Sequence, residues 1–313
     1  MSDRSWPILS FAAWAETGAA LHLMLQMAGK YRLAQTPWAI HSWHATFYVT
    51  PTGLTTGPIH GADGCFEIVF DLLAGRVDVR TDGGAIRGFD LEPMTIAEAH
   101  GRLGDAMRAA GGTFDIHPKP SEMADVTPFA EDHWPRPWDA EAVAAWHGAL
   151  LRIVPVFEQF RTGFLGKSSP VHLFWGALDL AVTRFSGRAA PPHPGGIPNL
   201  PDAVTQEAYS HEVCSAGFWP GGPGAEEAIF YSYAYPTPDG FAQAVVQPAD
   251  AARWVEALGE FVLPYAVVRE AADPAGTLLT FLQATYEAAA DLGGWDRAAL
   301  DCALGQPGVP RVL

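Results

Sequence analysis

Two distant stretches of this chain follow one plan. GKSSPVHLFWGALDLAVTRFSGR, from Gly166 to Arg188, has a counterpart in AGKYRLAQTPWAIHSWHATFYVTPTGLTTG, from Ala28 to Gly57. Each closes an apolar helix-like run with Gly-Lys, then supplies proline, histidine, an aromatic cluster and an apolar strand ending near Thr and Gly. Lys30 and Lys167 are two of only three lysines in 313 residues, so their shared placement is a strong sign of common design. Downstream, FEIVFDLLAG (Phe66 to Gly75) answers HEVCSAGFWPG (His211 to Gly221), which sets Glu67 against Glu212. GFDLEPMTIAEAHGRLGDAMRAAGGTFDI then answers GFAQAVVQPADAARWVEALGEFVL, each read as strand, proline, helix and closing strand.

The pattern predicts two tandem pseudo-symmetric repeats, at residues 10–120 and 140–268. A Pro- and acid-rich connector (121–139) separates them, and a C-terminal helix and tail (269–313) follow. Such a period is far too long for a solenoid. Each repeat reads as helix, antiparallel strands, helix and strand, without regular βαβ alternation, so the fold class expected is α+β in one compact body. The opening helices, Phe11 to Ala28 and Ala142 to Phe164, are apolar nearly all round and should be deeply packed. Gly29 and Gly166 read as their stops, with the following lysine set against the last carbonyls. The connector is expected to cross the surface. AAPPHPGGIPNLPDAVTQ, a long loop within repeat two, is expected to form a flap over a site.

Composition bounds the function classes. With 49% hydrophobic and 17% charged residues the chain is globular rather than disordered. A net charge of −16 argues against a nucleic-acid backbone or an anionic membrane surface as partner. No apolar run of membrane-spanning length and no signal-peptide pattern is read. The three cysteines, Cys65, Cys214 and Cys302, are odd in number and far apart, which fits a reducing cytoplasm. A small molecule is therefore the partner expected, and the oligomeric state is left open.

GKSSPVHLFWGALDLAVTRFSGR, YSHEVCSAGFWPGG, FYSYAYP and the N-terminal GKYRLA with GLTTG resemble a widespread bacterial family of uncharacterised proteins, one known only as a domain of unknown function. The resemblance covers nearly the whole chain. It implies a shared fold and carries no activity.

Residues suited to chemistry are few and scattered. His41 and His44 stand three apart, which aligns them only on a helix. The β-favouring residues that follow predict strand entry, where they would diverge. No HExxH or local histidine–carboxylate spacing occurs, so a metal would need distant ligands such as His44, His172 and His211 with Glu212. Metal and cofactor are therefore unknown from the sequence. His211 is the natural general base, with Glu212 beside it, against the alternative of an edge histidine bonded to a carbonyl. Cys214 reads as an inert buried thiol.

Strand alternation puts Tyr231, Tyr233 and Tyr235 on one face. With Phe218 and Trp219 they suggest an aromatic wall for a flat or sugar-like ligand, the alternative being a sheet face covered by helices. A regular strand would place His172 and Arg184 on one face and Asp179 on the other, while a bulge at Gly176 would reverse that parity. A buried Asp179 needs a partner. A structural ion-pair network with Arg184, Arg188 or Lys167 is the leading reading, and a polar site facing a cleft is the other. P-loop, dinucleotide and nucleophile-elbow motifs are absent from the sequence.

The expected site lies where the lobes meet. His211, Glu212, His172 and Asp179 are its candidate catalytic groups, and His41, His44, Arg184, Trp219, Tyr231 and Tyr233 its candidate ligand-binding groups. The function read is a small-molecule enzyme using histidine and carboxylate acid–base chemistry. The alternatives are a non-catalytic metabolite-binding protein and a structural or interaction protein.

Overall fold

A computed structural model describes residues 5–123 and 126–311. Its first half runs α1 (Phe11–Gln35), β1 (Tyr48–Thr50), β2 (Gly53–Thr55), β3 (Ile59–Gly61), β4 (Gly64–Asp71), β5 (Arg76–Thr81), β6 (Ile86–Asp90) and α2 (Ile96–Ala109). The second half opens with α3 (Ala140–Thr162), β7 (His172–Phe174), β8 (Asp179–Ala189) and α4 (Asp202–Ala208). It continues with β9 (His211–Trp219), β10 (Ile229–Tyr235), β11 (Arg253–Val255) and β12 (Glu260–Pro264). Three helices close the chain: α5 (Tyr265–Glu270), α6 (Pro274–Leu292) and α7 (Arg297–Leu300).

The fold is α+β, with two antiparallel sheets of six strands each. The first has the order β1-β2-β4-β5-β6 with β3 on β4, and the second β7-β8-β9-β10-β12-β11. The sheets meet edge to edge: Phe47 and Leu173 exchange two backbone hydrogen bonds of 2.9 Å each. This contact covers the β1 and β7 edges, which would otherwise expose unpaired backbone groups.

Helix starts follow local chemistry. Thr95 and Glu98 form a capping box at α2. The Asp139 carboxylate accepts from two backbone amides at the start of α3, and Asp273 caps α6 ahead of Pro274. Strand β10 shows the expected alternation. Phe230 and Ser232 are fully buried on the side where α6 packs, and Ile229, Tyr231 and Tyr233 turn the other way to line a cavity. Burying Phe218, Phe230, Phe157 and Phe281 completely places the core between the second sheet and the α3–α6 layer. By length and composition α3 would suffice to cross a membrane, and in this fold it packs against α1 and α6.

Several local expectations differ from the structure. Helix α1 does not stop at Gly29 but continues to Gln35. Gly29 serves instead as a seat for Trp175, because a Cβ there would lie 2.3 Å from the indole. Helix α3 ends earlier than expected, at Thr162 with Gly163 as its cap. No helix forms between Pro248 and Leu258. That segment supplies β11, which pairs with β12 by setting Trp254 opposite Phe261, and both rings pack against Phe241. The helix that directly follows β12 is the short α5, and the longer α6 begins at Pro274, a turn before the Leu278 start read from the sequence. Thr113 to Ile116, read as a closing strand, is irregular.

Candidate functional site

One face of the second sheet is the floor of a cavity of 1390 Å³. Its walls come from the C-terminal part of α1, the segment from Trp38 to Ala45, residues 117–122, and the long 190–209 segment carrying α4. The last of these was expected as a flap. It is fastened at two points: Asn199 donates to the Met123 carbonyl at 2.7 Å, and the Glu207 carboxylate accepts the His41 backbone amide at 3.0 Å. The 121–139 connector is not wholly superficial, since Ser121 is buried and Glu122 lines the cavity.

The floor is built by strand register. Ala181, Gly217, Tyr231 and Val262 lie in one row across β8, β9, β10 and β12. Gly217 matters because a Cβ there would sit 2.3 Å from the Tyr231 ring and hydroxyl. With no side chain at 217, the phenol lies across β9 and its hydroxyl donates to Asp179 Oδ2. Glu260, two residues before Val262, falls on the same face. Tyr233 stacks on Tyr231 with an interplanar angle of 17°, and its hydroxyl meets that of Tyr209 at 2.8 Å.

Five carboxyl groups line the cavity among the described residues: Glu122, Asp179 and Glu260 are half-buried within it, and Glu226 and Glu227 are exposed at its rim. Burial pushes Asp179 up to about 6 despite the hydrogen bond from Tyr231. Burial, reinforced by the neighbouring Asp179 charge, pushes Glu122 and Glu260 up to about 7. Lys30 is brought down to about 8 by burial, an effect opposed by Glu122. Its ammonium donates to Ser121 Oγ at 2.7 Å and lies 5.3 Å from the centre of the Trp175 ring. Neither Glu122 nor Glu260 makes a side-chain hydrogen bond or ion pair among the described residues. The carboxylate of Glu122 instead presses on Gly176, where an added Cβ would lie 1.8 Å from Oε1.

Backbone strain concentrates here. Among the described non-glycine residues, left-handed φ values occur at His41 (62°), Ser42 (58°), Glu122 (59°), Leu178 (60°) and Asn199 (53°). Four of these residues line the cavity, and Leu178 lies between the lining residues Ala177 and Asp179. Such conformations cost about 1–3 kcal/mol each and persist where surrounding structure fixes them, commonly at functional sites.

The sequence candidates separate into two groups. Asp179, His41, Trp219, Tyr231 and Tyr233 line the cavity, whereas His44, His172, Arg184, His211 and Glu212 are not among its lining residues. Glu212 is held by Arg188 and by the Ser186 hydroxyl at 2.8 Å. His211 meets Ser210 Oγ at 3.1 Å. The ring of His172 is fully buried with Nδ1 on the Pro170 carbonyl, and burial brings it down to about 4. Arg184 makes no ion pair among the described residues. Its guanidinium lies 3.5 Å from the Phe160 ring centre and 4.2 Å from that of Tyr286, and it donates to the Phe160 carbonyl. The expected Asp179–Arg184 network is therefore absent among the described residues. Cys214 is buried, and burial pushes its thiol up to about 12.

His41 and His44 do not converge. His41 donates through Nδ1 to the Ala208 carbonyl at 2.7 Å, so Nε2 accepts from Lys167 at 2.6 Å. His44 Nδ1 accepts from the Ala39 amide. Lys30, read from the sequence as a helix-end residue, and Glu122, Glu260 and Tyr209 are lining groups that the sequence reading did not assign to a site. For Glu260 a signal existed, because alternation along EFVLP sets a carboxylate on a face shared with Val262. Among the described residues, no group of three His, Cys, Asp or Glu side chains is arranged to hold a metal ion.

The profile of a family of unknown function (DUF5996) matches residues 6–302. No curated protein and no solved structure matches the chain.

Proposed function

This chain belongs to that family, and we propose that it binds a small organic molecule in the cavity and exchanges protons with it through Asp179. The observation that carries the reading is the Asp179–Tyr231 pair on the floor of a largely apolar cavity, with Glu122 and Glu260 facing the same space. Acid–base catalysis needs groups whose protonation changes near the working pH. Burial sets Asp179 near 6 and Glu122 and Glu260 near 7. At neutral pH an ionised Asp179 takes a proton from the ligand while a protonated Glu122 or Glu260 returns one elsewhere. Tyr231 supports the ionised state of Asp179 by donating to it.

The same walls would serve a protein that only retains a metabolite, and proton exchange separates the two. Fragments that raise the melting temperature of the wild type would be rescreened on Asp179→Asn and Trp219→Ala. Solvent deuterium incorporation into bound carbonyl compounds would then be followed by NMR. Incorporation that disappears in Asp179→Asn supports catalysis. Binding without incorporation leaves only the retention reading. Hits indifferent to both substitutions would sink the cavity as the site.

A further inference from the structure

We infer that the molecule held in this cavity carries a positively charged nitrogen on a flat apolar body. The inference rests on the proposed use of the cavity and adds the charge of its occupant. Among the described lining residues, Glu122, Asp179 and Glu260 face the interior against one buried cation, Lys30. That cation is already engaged by Ser121 and by the Trp175 ring face. Asp179 has Tyr231, but the carboxylates of Glu122 and Glu260 have no hydrogen-bond or ion-pair partner among the described residues. Half-buried carboxylates that face a largely apolar cavity without a protein partner are costly. A left-handed backbone at Glu122, φ 59°, nevertheless holds one of them there.

An ammonium group entering this space would satisfy the unmatched oxygens, and the Trp219 and Tyr233 rings can face it or pack on its body. An anionic ligand would meet three like-charged groups. The remaining titratable lining groups do not overturn this balance. At the exposed mouth, Lys119, His117 and Arg253 stand with Glu226 and Glu227, and Arg253 is within 4.0 Å of Glu227. On the remaining wall His41 is held neutral by burial, at about 4.

The linkage has a definite sign. In the unliganded cavity Glu122 and Glu260 retain protons up to about pH 7. A bound cation favours the ionised form of the carboxyl group it meets and so releases that proton, while the other glutamate stays available as the acid. Affinity for a cation should therefore rise from pH 5.5 to pH 8, while the affinity of a neutral isostere should not.

Three probes with one indole body test the inference: tryptamine, tryptophol and indole-3-acetate, titrated by NMR at pH 7.5. Tryptamine should bind at least tenfold more tightly than tryptophol, with indole-3-acetate weakest. The single variants Glu122→Gln and Glu260→Gln should each reduce the tryptamine-to-tryptophol ratio several-fold and leave tryptophol affinity nearly unchanged. If tryptophol or indole-3-acetate binds as tightly as tryptamine, the charge inference falls and the cavity reading stands. A tryptamine preference untouched in both variants overturns the inference as well. If none of the three binds at millimolar concentration, the inference fails, and the separate fragment screen decides the cavity reading.

Discussion

Asp179 and Arg184 lie on the same strand and face opposite sides of it. Asp179 turns to the cavity and Tyr231, while Arg184 is buried against Phe160 of α3 and Tyr286 of α6. The two charges therefore do not neutralise each other. Arg184 is instead brought down to about 10 by burial, and its Nε and Nη1 have no hydrogen-bond partner among the described residues.

Replacing Arg184 separates packing from charge. Arg184→Ala should cost about 3 kcal/mol, because a large side chain between two aromatic rings is removed. Arg184→Met keeps most of that volume and removes a buried charge without a carboxylate partner, so it should cost much less. Urea denaturation measures both. Equal losses would mean that the guanidinium group, rather than its volume, holds the two helices.

Asp179→Asn should stabilise the protein at pH 8 and leave it nearly unchanged at pH 4. Its folded value, about 6, lies above the ordinary value of 3.8. The native state thus retains the proton while the unfolded chain loses it. Stability falls as pH rises between those two values, and the loss persists above them, on the order of 1–3 kcal/mol. Glu122 and Glu260 extend the decline to about pH 7. Melting temperatures at the two pH values test the sign; a variant less stable at pH 8 would contradict it.

Gly217→Ala should break the Tyr231–Asp179 pair without altering either residue. The added methyl would lie 2.3 Å from the phenol and 2.6 Å from the Leu180 carbonyl oxygen. Relief requires the ring or the strand to move, at about 1–3 kcal/mol. The readout is tryptamine affinity beside thermal stability. A variant that keeps wild-type values of both would show that the phenol does not need the glycine.

Lys167→Met should raise the value at which His41 titrates. Burial is the first cause of its depression to about 4, and the Lys167 charge adds to it while the Ala208 carbonyl opposes. Removing the ammonium leaves burial in place, so the rise should be partial. Imidazole proton shifts followed by NMR between pH 3 and 8 would show it. An unmoved His41 would mean that Lys167 contributes nothing to its state.

Local patterns were legible wherever one element decided the outcome. Period-two alternation assigned Tyr231, Tyr233 and Tyr235 to one face, and helix and strand signals gave the α+β class. The proline-rich 190–209 segment announced itself by length and composition. Polar residues were harder, because a carboxylate's surroundings depend on what other segments bring to it. His211 suggested chemistry because an imidazole titrates near neutral pH, with Glu212 next to it in the chain, yet Glu212 is taken by Arg188.

Glu122 lay in an apparent linker and Lys30 in an apparent helix end. Only the packing of α1, the connector and the second sheet around one cavity made both line the same space as Asp179. The sequence determined periodicity, and with it which residues a strand can present together. Tertiary structure decided which of those faces would be dry, and dryness is what moves a carboxyl group toward neutrality.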